Sequence, residues 1–187
     1  MRRAPTLCLA LILALPGLGL PGPAEAAGMG DSNTTPPKPT ETSETCEGVQ
    51  VWDPETKSCV DPKEGALDAD TLYRAVRELA YAGRYRDAQG VLRALPDQSE
   101  DRVLTYWGFT HRKMGDRVLA RSFYEKALAA NPDNLLARSY MGQGFVADGD
   151  TDAAIAQWRE IKARGGDGTW AEAALREAIR TGLTYDY

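Results

Sequence analysis

From Leu67 onward, apolar residues recur at helical spacing in a stretch rich in Ala, Leu and Arg, which predicts a series of amphipathic helices. Upstream the pattern is different in each segment. Residues 7–15 form a short, nearly continuous apolar run behind the basic start Met1, Arg2, Arg3, and Pro16, Gly17 and Gly19 then break it. Residues 28–45 show no apolar period and carry Pro36, Pro37 and Pro39 among Thr, Ser and Glu, which predicts an extended, disordered linker. Val49, Gln50, Val51 and Trp52 have strand character. Asp53, Pro54, Glu55 and Thr56 suit a turn, because Pro presets its second position, and Lys57 to Val60 return as a second strand.

The apolar run at the start reads as a leader. Ala24 and Ala26 place small residues where a signal peptidase reads them, so cleavage is expected after Ala26. The rival is an uncleaved anchor, but the run falls short of the roughly 20 residues that span a bilayer. Cys8 lies inside the run rather than at its end, which speaks against lipid attachment. No stable membrane insertion is therefore expected. The division that follows is 1–26 leader, 27–45 disordered acidic linker, 46–66 hairpin segment, and 67–187 helical domain with a C-terminal cap.

A single interval returns along the helical stretch. Gly108 and Gly142 are 34 apart, as are Ala120 and Ala154, Tyr124 and Trp158, and the Gly-Asp pairs at 115–116 and 149–150. A weaker first copy has Gly83, Ala88 and Leu92 in matching places, is two residues short, and carries Val76 where the later copies carry Gly. Pro96 stands where its second helix would run on. Gly83, Gly115 and Gly149 suit the left-handed residue that ends a helix. Gly108 and Ala120 let neighbouring helices approach, and Trp107, Tyr124 and Trp158 fill the space between them. Thr169 to Arg180 reads as a closing helix, with Trp170, Ala173, Ala174, Leu175 and Ile179 facing inward and Glu172, Arg176, Glu177 and Arg180 facing water. The tyrosines at 185 and 187 either fray or pack back on that helix.

This pattern resembles the tetratricopeptide repeat. The family's signature falls on Leu104, Trp107, Gly108, His111, Ala120, Tyr124, Ala127 and Pro132 in the middle copy, and on Met141, Gly142, Phe145, Ala154, Trp158 and Ile161 in the last. Gly166 stands in place of the closing Pro, and the likeness covers about residues 69–168. The resemblance implies an all-α helix–turn–helix solenoid of about three repeats plus a capping helix. It also implies a concave groove that takes a peptide segment. The groove positions fall on Tyr73, Arg77 and Tyr81, on Arg102, Thr105, Phe109, Arg112 and Lys113, and on Ser139, Gln143 and Val146. That basic and aromatic stripe suits a partner with an acidic stretch or a C-terminal carboxylate.

Composition narrows the function. The 187 residues are 43% hydrophobic and 26% charged with net charge −5, which fits neither a membrane bundle, nor a wholly disordered chain, nor a basic nucleic-acid binder. The acidity sits in front: residues 27–66 hold eight acidic and three basic side chains, against eighteen and seventeen in 67–187. A further expectation is that this front segment, through Glu41, Glu44 and Glu47, folds into the basic groove and blocks it. Once the leader is gone, Cys46 and Cys59 are an even pair in an exported chain, hence an expected disulfide closing the hairpin. The fourteen residues 46–59 resemble the Cys-hairpin of small chitin-binding modules, without their other cysteines. That resemblance makes Trp52 the candidate for stacking on a sugar.

The chain offers no Ser-His-Asp set, Gly-rich phosphate loop or Cys/His metal spacing, so neither enzyme activity nor a cofactor is expected. The only histidine, His111, holds a packing position. Asp148, Asp150 and Asp152 lack the spacing and closing Glu of a calcium loop. The expectation is an exported, periplasmic or secreted, non-catalytic interaction scaffold of the cell envelope with a protein or peptide partner. Glycan or cell-wall binding through Trp52 is the alternative, and an accessory chaperone for secreted proteins is a third reading.

Overall fold

Three helix pairs, each closed by the same glycine turn, make the body of the molecule. In the computed structural model, which describes residues 35–64 and 66–184, they are α2 (Ala69–Tyr81) with α3 (Tyr85–Leu92), α4 (Asp101–Lys113) with α5 (Arg117–Ala130), and α6 (Leu135–Ala147) with α7 (Thr151–Ala163). Helix α8 (Trp170–Thr181) packs on α6 and α7. In front stand a single helical turn, α1 (Glu41–Glu44), and the antiparallel pair β1 (Val51–Asp53) and β2 (Ser58–Val60). The expected leader, linker residues 27–34 and the tyrosines at 185 and 187 lie outside the described residues.

The turns explain the period. Gly83, Gly115 and Gly149 have φ of 76°, 91° and 79°. After each, an amide reaches back to the helix: Arg84 N to Leu79 O, Asp116 N to His111 O, and Asp150 N to Phe145 O, all at 2.9 Å. This satisfies carbonyls the helix end leaves open. Side-chain caps start the helices that follow. Asp116 accepts from Leu119 N and Asp150 from Ala153 N, each at 3.1 Å, and Asn134 accepts from Ala137 N at 2.8 Å.

Small residues set the close approaches, in three different ways. A Cβ on Gly108 would stand 2.5 Å from the Tyr124 ring, within the second pair. One on Gly142 would stand 2.6 Å from Leu175, so in the third pair the space goes to α8. In the first pair Val76 is fully buried on α2, and the small residue is Gly90 on α3, whose Cβ would run into Val49 of the hairpin segment. Helix α3 is also the shortest of the body helices.

The hairpin forms as the sequence predicts. Val51 pairs with Val60, Trp52 with Cys59 and Asp53 with Ser58, and Cys46 is bonded to Cys59. Val51 is fully buried in the same cluster as Val76, Leu79 and Val91, so the hairpin closes one end of the helical core. The expectation of a disordered linker to residue 45 needs correction. Residues 35–45 are placed against α2, and Thr40 caps α1 by accepting from Thr42 N. The reason lies in two charged groups on the body, described next.

Candidate functional site

The expected groove residues come together, but as interior. Tyr73, Arg77, Tyr81, Thr105, Phe109, Arg112, Ser139 and Gln143 are buried, and Arg102 and Lys113 are half-buried. The rings explain this. Tyr73 meets Tyr106 edge-on at 5.7 Å, Tyr81 stacks on Phe109 at 5.7 Å, and Phe109 meets Tyr140 at 4.7 Å. Trp170 of α8 then touches both Tyr81 and Tyr140 at 6.3 Å. Large aromatics on α2, α4, α6 and α8 thus occupy the space between those helices, and edge-on and offset packing suits them.

Polar members of the set are tied into the same layer. Tyr81 and Tyr140 share a hydroxyl–hydroxyl bond of 2.6 Å, and Arg77 Nε donates to the Tyr106 hydroxyl at 3.3 Å. Burial raises the Tyr106 hydroxyl above its ordinary range, against the pull of Arg77. Thr105 donates to Asp101 O at 2.7 Å and accepts from Asn134 Nδ2 at 3.0 Å, fastening α4 to the start of α6. Gln143 donates to Ser139 Oγ at 3.3 Å. Arg102 lies over the Tyr73 ring at 4.7 Å and pairs with Asp70 at 2.7 Å and with Glu100. Val146 is half-buried. Tyr106 and Tyr140, 34 apart, were the signal for this interior: the same interval that aligns the glycines aligns two fully buried tyrosines.

The front segment docks through Glu78 and Arg84, which the sequence did not single out, and through Arg77, which it did. Glu78, buried on α2, accepts from Thr40 N at 2.7 Å, Thr40 Oγ1 at 2.7 Å and Ser43 N at 2.9 Å. Arg84 donates to Cys46 O at 2.9 Å and Gly48 O at 2.7 Å while paired with Asp87. Arg77 also donates to Thr35 O. A carboxylate at the amino end of α1 and a guanidinium at its carboxyl end match the open donors and acceptors of a helical turn. Glu41, Glu44 and Glu47 are exposed, so the segment is held by its backbone and hydroxyls and not by the acidic side chains expected to enter the groove. Trp52 is half-buried, and its amide donates to Thr42 Oγ1 at 3.2 Å.

His111 sits in a ring stack with Trp107 at 5.9 Å and Phe123 at 5.5 Å. Burial holds its pKa below the usual histidine value, with Asp116 opposing and Arg93 assisting. Glu172, expected to face water, is only 1% exposed, because the Trp158 indole N–H needs an acceptor and donates to it at 2.6 Å. Among the described residues no group of three or more His, Cys, Asp or Glu is placed to hold a metal, and no helix is long and apolar enough to cross a membrane.

The outer side of α5 is open to solvent. Val118 is 86% exposed, with Met114 and Leu119 partly exposed near it. Val118 lines a surface depression of about 550 Å³ with Arg117, Arg121, Ser122, Glu125 and Asp148. Arg117 and Arg121 share the single carboxylate of Asp148, at 2.7 and 3.3 Å, and Glu125 is the second carboxylate of the depression. Comparison with family models, with curated proteins and with solved structures finds no match to this chain.

Proposed function

We propose that this chain is a tetratricopeptide-type repeat protein of an oxidising, extracytoplasmic compartment. It works without catalysis, by docking an acidic segment of a partner polypeptide. The repeat assignment is supported by the 34-residue interval and by the three matched glycine turns. The compartment is supported by the Cys46–Cys59 disulfide, since such bonds persist where thiols are oxidised.

The observation that carries the docking surface is Val118, an apolar side chain left 86% exposed between Arg117 and Arg121. Isolated apolar residues on a surface are common, but this one stands in a depression where two arginines share one carboxylate. Because the first-helix residues are consumed by ring packing, the outer depression is the better seat for a partner than a groove lined by those rings. The occupant is a peptide segment that sets one apolar side chain against Val118 and presents carboxylates to the two arginines.

The test uses a labelled peptide of alternating Glu and Leu, titrated into the full oxidised chain at low salt. Val118→Asp and the pair Arg117→Glu, Arg121→Glu are each expected to weaken binding at least tenfold, while Arg159→Glu, on the exposed side of α7, leaves it within twofold. Equal binding by all four proteins contradicts the proposal. A response to soluble chitin oligosaccharide that Trp52→Ala removes would move the function to the hairpin.

A further inference from the structure

Residues 40–60 form a module whose parts are bonded to each other. Cys46 is joined to Cys59, β1 pairs with β2, and Trp52 N donates to Thr42 Oγ1, which ties the hairpin to α1. None of these bonds involves the helical body, so the module keeps its shape when it leaves the body. Its seat is made by the first helix pair. Glu78 and Arg84 hold the backbone of residues 40–48, Val49 lies over Gly90, and Val51 joins Val76, Leu79 and Val91 in one buried cluster.

One stretch of chain, residues 61–68, links module and body. Lys63 N donates to Asp61 Oδ1 at 2.8 Å and Glu64 N to Asp61 O at 3.1 Å, both within the stretch itself. Among the described residues, no hydrogen bond joins residues 61–64 to the helical body. Pro62 is buried and Leu67 half-buried, while Lys63, Glu64 and Ala66 between them are exposed. The connector enters α2 at its Asp68 cap, whereas Glu78 stands about 15 Å further along that helix at 1.5 Å per residue. The module therefore lies back along α2, on a connector that little else holds.

An empty seat is unfavourable, because Val76, Leu79 and Val91 are fully buried and would lose their cover. Its occupant must bring a hydroxyl-capped helical turn for Glu78 and Arg84 and, at a fixed distance, a valine for the core. A second copy of the chain carries both. Exchange of modules between two copies keeps every contact of the seat and opens only the connectors, so interface energy cancels and concentration decides. A short flexible connector holds its module at an effective concentration in roughly the mM range, and free chains at that concentration compete with it.

We infer that the front module is exchangeable and that the partner its seat fits is a second copy of this chain, the two copies swapping modules in a closed two-fold dimer. This inference is independent of docking on α5, since neither module nor seat includes Arg117, Val118 or Arg121.

Sedimentation equilibrium and amide exchange of residues 40–46 test it on the full oxidised chain, in wild type and in a chain lacking residues 63–66. The shortened connector spans at most about 14 Å, less than the length of α2 that the module covers. The expected result is a wild-type monomer–dimer equilibrium with a dissociation constant of about 1 mM. The shortened chain is expected to dimerise at least a hundredfold more tightly, with residues 40–46 still protected. Adding Glu78→Gln to the shortened chain weakens its dimer at least tenfold, and adding Val118→Asp leaves it within twofold. A wild-type chain that stays monomeric to about 5 mM overturns the proposal. So does a shortened chain whose dimer leaves residues 40–46 exchanging at unstructured rates, or whose dimer is lost with Val118→Asp. If the shortened chain fails to fold, the wild-type series decides.

Discussion

The two ends of the helical stack are closed by opposite means. At the back, α8 lays Ala171, Ala174, Leu175 and Ala178 against the preceding helices, and all four are buried. At the front, one residue of the hairpin, Val51, enters the core, and the rest is held by Glu78, Arg84 and a disulfide. One end is sealed by apolar area, the other mostly by satisfying backbone donors and acceptors. Apolar seals resist perturbation at any single polar group. A polar seal concentrates its strength in two or three residues and is lost with them.

That contrast orders the expected effects. Leu175→Ala removes a fully buried side chain that packs on Gly142, and is expected to cost about 2–5 kcal/mol, read as a lower midpoint in urea unfolding. At the front, Glu78→Ala leaves the Thr40 and Ser43 donors without their acceptor. It is expected to cost about 1–3 kcal/mol, with the loss confined to faster amide exchange in residues 40–46. Reduction of Cys46–Cys59, whose positions are 13 apart, is expected to cost about 3 kcal/mol or less and to release the hairpin before α2 or α3 melts. If Glu78→Ala instead destabilised all helices equally, the front would belong to the core and the contrast would fail.

The smallest effect lies in the middle of the stack, where neither seal acts. Burial among Trp107 and Phe123 depresses the His111 pKa, so the unfolded chain binds the proton more readily than the folded one. Stability from this group is full above the unfolded value, near pH 6.5, and falls as pH drops below it. His111→Phe keeps the ring stack and is expected to flatten that region of the stability–pH curve. A curve unchanged by the substitution contradicts the assignment.

The back end was legible in the sequence and the front was not, for a physical reason. Helix α8 has an apolar stripe at helical spacing, and its limits are read within a residue. Even there, Glu172 misled: charge pattern places it in water, and only the position of Trp158 on another helix shows why it is buried. The front segment has no period to detect. Its docking depends on backbone groups of residues 40–48 meeting Glu78 and Arg84, two charged residues on a helix and a turn that look like ordinary surface.

The same limit governs the expected groove. Tyr73, Arg77, Tyr81 and Phe109 were placed correctly on one side of the first helices. What turned that side from groove to interior is the size of rings contributed by Tyr106, Tyr140 and Trp170. Residue type at a spacing gives direction along a helix; it does not give how far the opposing helix stands.

The most direct test of the account is hydrogen exchange by mass spectrometry on the intact, oxidised chain, beside Glu78→Gln. The account predicts that amides of residues 40–46 exchange slowly in the wild-type chain, where Glu78 accepts from Thr40 and Ser43, and at near-unstructured rates in the variant. Exchange of residues 40–46 at unstructured rates in the wild-type chain would contradict it, and would return the front segment to a free tether.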